Sequence, residues 1–69
     1  MKIYIVKCKH IKSGEEHISQ EGYKTYRAVT DFIYSRSDNP IQISDFTFKG
    51  QNNFYYIYEI SVKNSWLIF

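Results

Sequence analysis

The stretch that decides the fold is NFYYIYEISV, residues 53–62. Its alternating side chains predict a β-strand with one ring-rich face and one mixed face. We expect the ring-rich face to lie inward, because a chain of 69 residues buries only about 60% of its unfolded surface and must build its core from a few large side chains. The inward set is then Phe54, Tyr56, Tyr58, Ile60 and Val62, and the outward set is Tyr55, Ile57, Glu59 and Ser61.

The residues before this strand predict its hairpin partner, so that the second hairpin spans 41–63. A three-residue loop pairs Phe48 with Phe54 and Phe46 with Tyr56, which keeps all four rings on one side of the sheet. A four-residue loop would shift the register by one residue and mix the faces. An odd loop length is therefore expected.

The first hairpin is predicted over residues 1–20. The chain starts with MKIYIVKCKHI, which alternates like a strand, and Ser13 and Gly14 fit a two-residue turn because glycine accepts a positive φ. This register sets His10 opposite His17. The return strand EEHISQ is short and polar, as is typical of the edge of a sheet.

The period changes between residues 25 and 37, where apolar side chains recur at helical spacing. Thr25 is suited to cap the start of a helix, and Asn39 and Pro40 forbid its continuation. The inward positions of this helix are Ala28, Val29, Phe32 and Ile33.

The order hairpin, helix, hairpin predicts an α+β fold, ββαββ, with a small antiparallel or mixed sheet of about four strands. The one helix packs on one face of the sheet, and we expect it to cover the more aromatic face. Residues 1–69 form a single domain, in which 64–69 make an apolar C-terminal segment.

Composition and charge exclude several classes of protein. Aromatic residues make up 19% of the chain, which indicates a folded domain rather than a disordered one. Cys8 is the only cysteine and no apolar leader follows Met1, and both features favour a reducing, cytoplasmic setting. No apolar run reaches the roughly 18 residues that a membrane span needs. A formal net charge of +2 does not by itself indicate a nucleic-acid binder.

Few residues are candidates for chemistry. Cys8, His10 and His17 can share one face of the first hairpin, and a thiolate with two imidazoles suits zinc. Their spacing matches no compact zinc motif, so a buried thiol beside two histidines near a turn is the stronger interpretation. The chain has no phosphate-binding loop, nucleophile elbow or recognisable carboxylate pair, and we expect neither a cofactor nor an enzyme.

A nucleic-acid interface is the alternative interpretation of the sheet. Lys7 and Lys9 share a strand face, and Tyr55 and Lys63 join them if the last strand lies beside the first. Rings beside basic side chains can stack on bases and bind phosphates. Glu59 is expected on the same face, and it weighs against this function together with the low net charge.

A single helix covers one face of the sheet and leaves apolar side chains exposed on the other. The segment 64–69 adds further apolar residues, Trp66 among them. A homodimer through the open face or through this segment would bury them, and so would a monomer whose segment folds back over the open face. The two alternatives are equally favoured.

Three segments, MKIYIV at the start, EGYKTYRAVTDFI leading into the helix and YYIYEISV near the end, together resemble short proteins of bacteriophages and prophages. Many such proteins are inhibitors that sequester a host enzyme or a defence complex, anti-CRISPR proteins among them. The resemblance implies a partner that is a bacterial host protein or nucleoprotein complex, and a cytoplasmic location in the host cell.

The sequence therefore favours a non-enzymatic protein-binding module, an inhibitor that sterically blocks a bacterial defence or regulatory protein. Tyrosine and arginine are enriched among the residues that contribute most to protein binding. The predicted partner contacts are Tyr55, Ile57, Glu59, Trp66, Arg27, Asp31 and Tyr34.

Overall fold

A computed structural model describes residues 1–61 of the chain. The strands are β1, Lys2–His10; β2, Glu16–Ile18; β3, Ile41–Ser44; β4, Thr47–Lys49; and β5, Asn53–Ser61; the helix is α1, Tyr26–Tyr34. Neighbouring strands are all antiparallel, in the order β2-β1-β5-β4-β3. The α+β class is confirmed, with five strands where the sequence predicts about four. The predicted segment 64–69 lies outside the described residues.

The extra strand comes from residues 41–49, which the sequence predicts as one strand. Asp45 and Phe46 form a turn between β3 and β4, and aspartate favours such turns because its side chain bonds the backbone nearby. The pairing of β3 with β4 also shifts register between Gln42 and Ser44. The second hairpin is therefore a three-stranded meander, with β3 at the outer edge of the sheet.

Helix α1 begins where the sequence predicts. The Thr25 hydroxyl accepts the backbone N–H of Ala28 at 3.1 Å, which satisfies one free amide of the first turn. The helix ends at Tyr34, before the predicted end, because the Ser35 hydroxyl donates to the Phe32 carbonyl at 2.6 Å and no apolar side chain follows to extend the buried side. No helix within residues 1–61 is long and apolar enough to cross a membrane.

The core lies between α1 and one face of the sheet, here called the covered face. Its buried side chains are Val6, Val29, Ile33, Phe48, Tyr55 and Ile57. Tyr55 is 1% exposed and Ile57 is 5% exposed, so the side of β5 that was expected to face outward builds the core. The predicted orientation of β5 is therefore wrong, and the ring-rich set lies on the opposite face of the sheet.

The pairing of β5 with β1 explains this reversal. Lys7 lies opposite Tyr56 and Lys9 lies opposite Phe54. A helix over the ring-rich face would therefore bury two ammonium groups, which is costly without charged partners. The other face of β1 offers the apolar Val6 instead, and the helix covers that face.

The loop between β4 and β5 has the length that the sequence analysis disfavours. Phe48 pairs with Tyr55, and the Gly50 amide donates to the Asn53 carbonyl at 2.8 Å. The pairing of Lys49 with Phe54 leaves an even number of residues, Gly50 to Asn53, between the last paired residues of β4 and β5, and the predicted pairing of Phe48 with Phe54 is wrong. This register gives Phe48 and Tyr55 a common place on the covered face.

The hairpin of β1 and β2 closes with a longer loop than predicted. The His10 amide donates to the Glu15 carbonyl at 2.8 Å, and the Gly14 amide donates to the His10 carbonyl at 2.9 Å. Gly14 has a φ of 74°, which glycine adopts without strain. Cys8, rather than His10, consequently lies opposite His17. Strand β2 is exposed along its length and forms a sheet edge, as predicted.

A buried carboxylate joins the chain after α1 to the β4–β5 loop. Asp38 is 7% exposed and accepts hydrogen bonds from the Tyr55 hydroxyl and from the backbone and side-chain amides of Asn52 and Asn53, at 2.8 to 3.3 Å. Burial opposes ionisation, but these hydrogen bonds outweigh it and lower the pKa of Asp38 below its usual value. A side chain at Gly50 would collide with this carboxylate.

Candidate functional site

The face of the sheet opposite α1 is here called the open face. The strand registers determine its side chains, because alternate residues of a strand point to the same face. They are Phe54, Tyr56, Tyr58 and Ile60 from β5, Ile3, Ile5, Lys7 and Lys9 from β1, Glu16 and Ile18 from β2, Thr47 and Lys49 from β4, and Ile41 from β3.

Three aromatic residues follow one another along β5, the middle strand of the sheet. Phe54, Tyr56 and Tyr58 are here called the aromatic row. The ring centroids of Phe54 and Tyr56 are 6.0 Å apart and their planes are 25° from parallel, so the two rings face nearly the same direction. Both are half-buried, and Tyr58 is 44% exposed. The row therefore exposes aromatic surface to solvent along β5.

Three lysines flank the aromatic row. Lys7 and Lys9 lie beside it on β1, and Lys49 lies beside it on β4. The Lys7 ammonium is 5.5 Å from the Tyr56 ring centroid, and the Lys49 ammonium is 5.6 Å from that of Phe54. At such distances the ring attracts the cation. These three lysines and the aromatic row together are here called the basic-aromatic patch.

The charge of Lys7 is stabilised by its neighbours on the open face. The Tyr58 hydroxyl beside it raises the pKa of Lys7 above its usual value, and Glu16 acts in the same direction. The Lys7 Nζ lies 3.5 Å from the Glu16 carboxylate, which projects from β2 at the margin of the patch. Lys7 is therefore protonated at neutral pH, and Glu16 is the acidic side chain paired with the patch.

The two ends of the open face differ in chemistry. The end near Phe54 is basic and aromatic, whereas at the other end Ile3 lies opposite Ile60 and Ile5 lies opposite Tyr58. Ile60 is 40% exposed. The lysines are therefore concentrated at one end of the face, where Ile18 lies opposite Lys7 and Ile41 lies opposite Lys49, while the other end carries no lysine within residues 1–61.

Two of the predicted partner contacts do not reach the surface. Tyr55 and Ile57 lie in the core beneath α1, so neither side chain can contact a protein partner or stack on a base. Trp66 and Lys63, the other predicted contacts near the C-terminus, lie outside the described residues.

Glu59 also lies away from its expected position. It pairs with the Lys2 ammonium at 3.1 Å on the side of the sheet that faces α1, because its strand partner is Tyr4 rather than one of the patch lysines. The acidic side chain that was expected to oppose phosphate binding is therefore absent from the open face.

The outer side of α1 carries the three predicted contacts there. Arg27 and Asp31 are both largely exposed and form a loose pair at 4.0 Å. Tyr34 is 53% exposed, and its ring packs edge-on against Phe48 at 5.4 Å. Arg27 and Asp31 face solvent, whereas Tyr34 is partly exposed and partly packed on the buried Phe48 ring, and contact of all three with a partner remains a prediction.

The three weak candidates for metal ligands, Cys8, His10 and His17, are not all brought together. Cys8 lies opposite His17, whereas the His10 ring is engaged by Ser13, whose backbone N–H donates to Nδ1 at 3.2 Å. In the described part of the chain no group of three His, Cys, Asp or Glu side chains is placed to hold a metal ion. Burial raises the pKa of the Cys8 thiol, and the opposing effect of Arg36 does not cancel this.

Sequence reasoning identified Lys7 and Lys9 but missed the residues beside them, which are Lys49, Phe54, Tyr56 and Tyr58. The sequence feature that could have located these residues was the pair of lysines, Lys7 and Lys9. Because their strand face has to remain in contact with water, the neighbouring strand turns its own uncovered side the same way. The rings on that side then form the surface.

Comparison with known proteins identifies no relative. The chain matches no protein family model, and neither a curated protein nor a solved structure matches it. Its function is therefore inferred from the chemistry of its own surface.

Proposed function

We propose that this protein is a small, non-enzymatic binding module that holds nucleic acid on the open face of its sheet. The observation that carries the proposal is the basic-aromatic patch, in which lysines of both neighbouring strands flank Phe54 and the Lys7 ammonium lies beside Tyr56 and Tyr58. Aromatic rings stack on bases of any sequence, and ammonium groups bind phosphates. A sheet face that combines the two can hold both parts of a nucleotide.

The distribution of charge supports this proposal more than the net charge does. Lys7, Lys9 and Lys49 lie on the open face with Glu16 at its margin, while Glu59 and Asp38 lie on the other side of the sheet. A small overall charge of +2 thus includes a locally positive face. Association with a polyanion depends on this local field.

A titration with labelled oligonucleotides at two salt concentrations tests the proposal. Lys7→Gln with Lys9→Gln should weaken binding and should lower the slope of log affinity against log salt by about 1.4, since each phosphate contact contributes about 0.7 on a single strand. The matched control is Lys12→Gln with Lys24→Gln, which removes the same charge from exposed positions outside the patch. Absence of binding at low salt, or equal losses in both double variants, would overturn the proposal.

A protein partner is the second candidate, and exposed isoleucines favour it. Ile18, Ile41 and Ile43 are 63%, 71% and 59% exposed, and they lie on the two edge strands. Apolar surface of this kind marks interfaces in small proteins. The inhibitor function implied by the resemblance to phage proteins would act through these edges, by sterically blocking a bacterial defence or regulatory protein, and a homodimer would use the same surface.

The solution mass and a pull-down separate these alternatives. A protein retained from a bacterial lysate after nuclease treatment, and lost when Ile41→Gln and Ile43→Gln are combined, supports the protein partner. A concentration-dependent dimer that the same two substitutions dissociate supports self-association. Retention that disappears with nuclease supports the nucleic-acid function instead.

A further inference from the structure

The spacing of the aromatic row indicates whether the bound nucleic acid is single-stranded or double-stranded. This inference rests on the proposed nucleic-acid function. Alternate residues of a strand lie about 6 to 7 Å apart, and the centroids of Phe54 and Tyr56 are 6.0 Å apart. Neighbouring phosphates on one strand of B-DNA are only about 3.4 Å apart along the axis. A stacked helix therefore cannot place one base on each ring, whereas a stretched single strand can.

The position of the row also excludes a duplex as the preferred ligand. The rings lie along the middle strand, and the lysines lie on both sides of them rather than in a separate basic ridge. In a duplex the faces of the bases are already stacked, and only phosphates and groove edges remain for contact. The aromatic row would then contact nothing that it can stack on.

The lysines indicate where the backbone of the strand runs. Lys9 and Lys7 follow the row along β1, opposite Phe54 and Tyr56, whereas the next position on that face of β1 is Ile5, opposite Tyr58. Lysines thus lie opposite the first two rings, and the third ring is reached only by the Lys7 ammonium from the neighbouring position. Lys49 adds a second positive charge beside Phe54.

The Lys7 side chain is placed to serve two nucleotides. Its ammonium lies 5.5 Å from the Tyr56 centroid and 5.7 Å from the Tyr58 centroid. A flexible four-carbon chain lets the ammonium leave the rings for a phosphate between two stacked bases. The cation therefore gives up its ring contacts when bases take its place.

We propose that the patch binds an extended single strand of nucleic acid with three consecutive bases on Phe54, Tyr56 and Tyr58 and its backbone along β1. The smallest ligand that fills the row is a trinucleotide. Its third base, at Tyr58, has no lysine opposite it on β1 and shares Lys7 with the second base.

A length series of oligothymidylates tests this geometry, because these strands do not pair with themselves. Affinity should rise steeply up to three nucleotides and only gradually beyond, and a duplex of matched length should bind at least about ten-fold more weakly than the single strand at equal salt. A duplex that binds equally well, or a length dependence without a step, overturns the inference and leaves the proposed function standing. Failure of every oligonucleotide to bind at low salt overturns both.

Two ring substitutions separate stacking from charge. Tyr58→Leu and Tyr56→Leu should each weaken single-strand binding by about 5- to 100-fold with an unchanged salt slope, while Tyr56→Phe retains most of the affinity. Tyr34→Leu, on α1 and away from the open face, is the matched control and should bind like the wild type. Since Tyr58 is 44% exposed, its variant keeps the fold even if the Tyr56 variant does not. Unchanged binding by Tyr58→Leu would overturn the assignment of the third base.

Discussion

The covered face and the open face are built from neighbouring residues of one strand, yet their environments are opposite. On β5, Tyr55 is 1% exposed and donates to Asp38, whereas Tyr56, the next residue, is half-buried among lysines. Because both residues are tyrosines, hydrophobicity alone cannot predict which of them is buried. The strand beside them makes the difference, because β1 presents Val6 to one face and Lys7 to the other. In so small a sheet, the partner strand decides which side is covered.

The largest loss of stability is expected when one phenylalanine on the covered face is replaced. Phe48→Ala removes a fully buried ring and leaves a cavity, so the free energy of unfolding should fall by about 3 to 5 kcal/mol. A chain of 69 residues has a total stability of only about 7 kcal/mol, at about 0.1 kcal/mol per residue. Urea unfolding followed by far-ultraviolet circular dichroism measures the loss.

Phe54→Ala is the matched substitution on the open face. The Phe54 ring is half-buried and is held by cross-strand contacts, so its loss should cost roughly 1 kcal/mol. Nucleic-acid binding should respond in the opposite order, with a large effect for Phe54→Ala. Equal destabilisation by the two substitutions would contradict the assignment of the faces.

The helix and the two longest strands could be predicted because their signals are local. The Thr25 cap acts within one turn, and the alternation in β1 and β5 depends on residues two positions apart. Such signals need no knowledge of which strands become neighbours. They predict elements and approximate limits, but not the turn at Asp45 and Phe46 that creates β4.

The side of β5 that faces the helix could not be predicted, since it depends on the register between β1 and β5. A shift of one residue in that pairing would place Tyr55 beside the lysines, which is the arrangement that the alternation of β5 alone predicts. The rings of the candidate site could not be predicted for the same reason. Lys7 and Lys9 were identifiable from β1 alone, but the rings beside them depend on the register of β5. The hydrogen bonds of Asp38 likewise depend on a loop that is distant in sequence.

The next test concerns the carboxylate that supports the covered face. Asp38→Asn retains the size of the side chain but removes the negative charge to which Tyr55 and two asparagines donate. The free energy of unfolding at neutral pH should fall by about 2 to 3 kcal/mol, because hydrogen bonds to a buried charge are strong. Urea unfolding measures the change, and Asp31→Asn on the exposed side of α1 is the control with little effect.

The pH dependence of stability tests the same carboxylate independently. Because the folded-state pKa of Asp38 is lowered, its stabilising contribution is present above the pKa of an unfolded aspartate, about 3.9, and is lost as pH falls through the folded value. The wild-type protein should therefore lose stability between about pH 5 and pH 2 more steeply than Asp38→Asn. Parallel curves would show that the charge of Asp38 does not stabilise the fold.

A smaller loss of stability is expected from substitutions of Thr25, which caps the start of α1 on the covered face. Thr25→Ala removes the hydroxyl that accepts the Ala28 amide and should cost about 1 kcal/mol, whereas Thr25→Ser keeps the acceptor and should cost little. Thermal melting of both variants measures the difference. Since the cap lies on the helix side of the sheet, oligonucleotide affinity of the folded protein should not change. A loss of affinity in Thr25→Ala would mean that α1 takes part in binding.

The smallest effect on stability, and the sharpest contrast between the faces, is expected from two glutamates that each pair with a lysine. Glu16 pairs with Lys7 on the open face, and Glu59 pairs with Lys2 on the other side of the sheet. Exposed pairs of this kind contribute at most about 1 kcal/mol, so Glu16→Gln and Glu59→Gln should both fold normally.

Their effects on nucleic-acid binding should differ, although each substitution removes one negative charge. Glu16→Gln frees the Lys7 ammonium beside Tyr56 and Tyr58, so affinity for an oligonucleotide at low salt should rise several-fold. Glu59→Gln changes the field on the far side of the sheet and should have a much smaller effect, and both effects should shrink as salt shortens the range of the field. Equal gains would mean that only net charge matters. A gain confined to Glu16→Gln would place the phosphates on the face that α1 leaves uncovered.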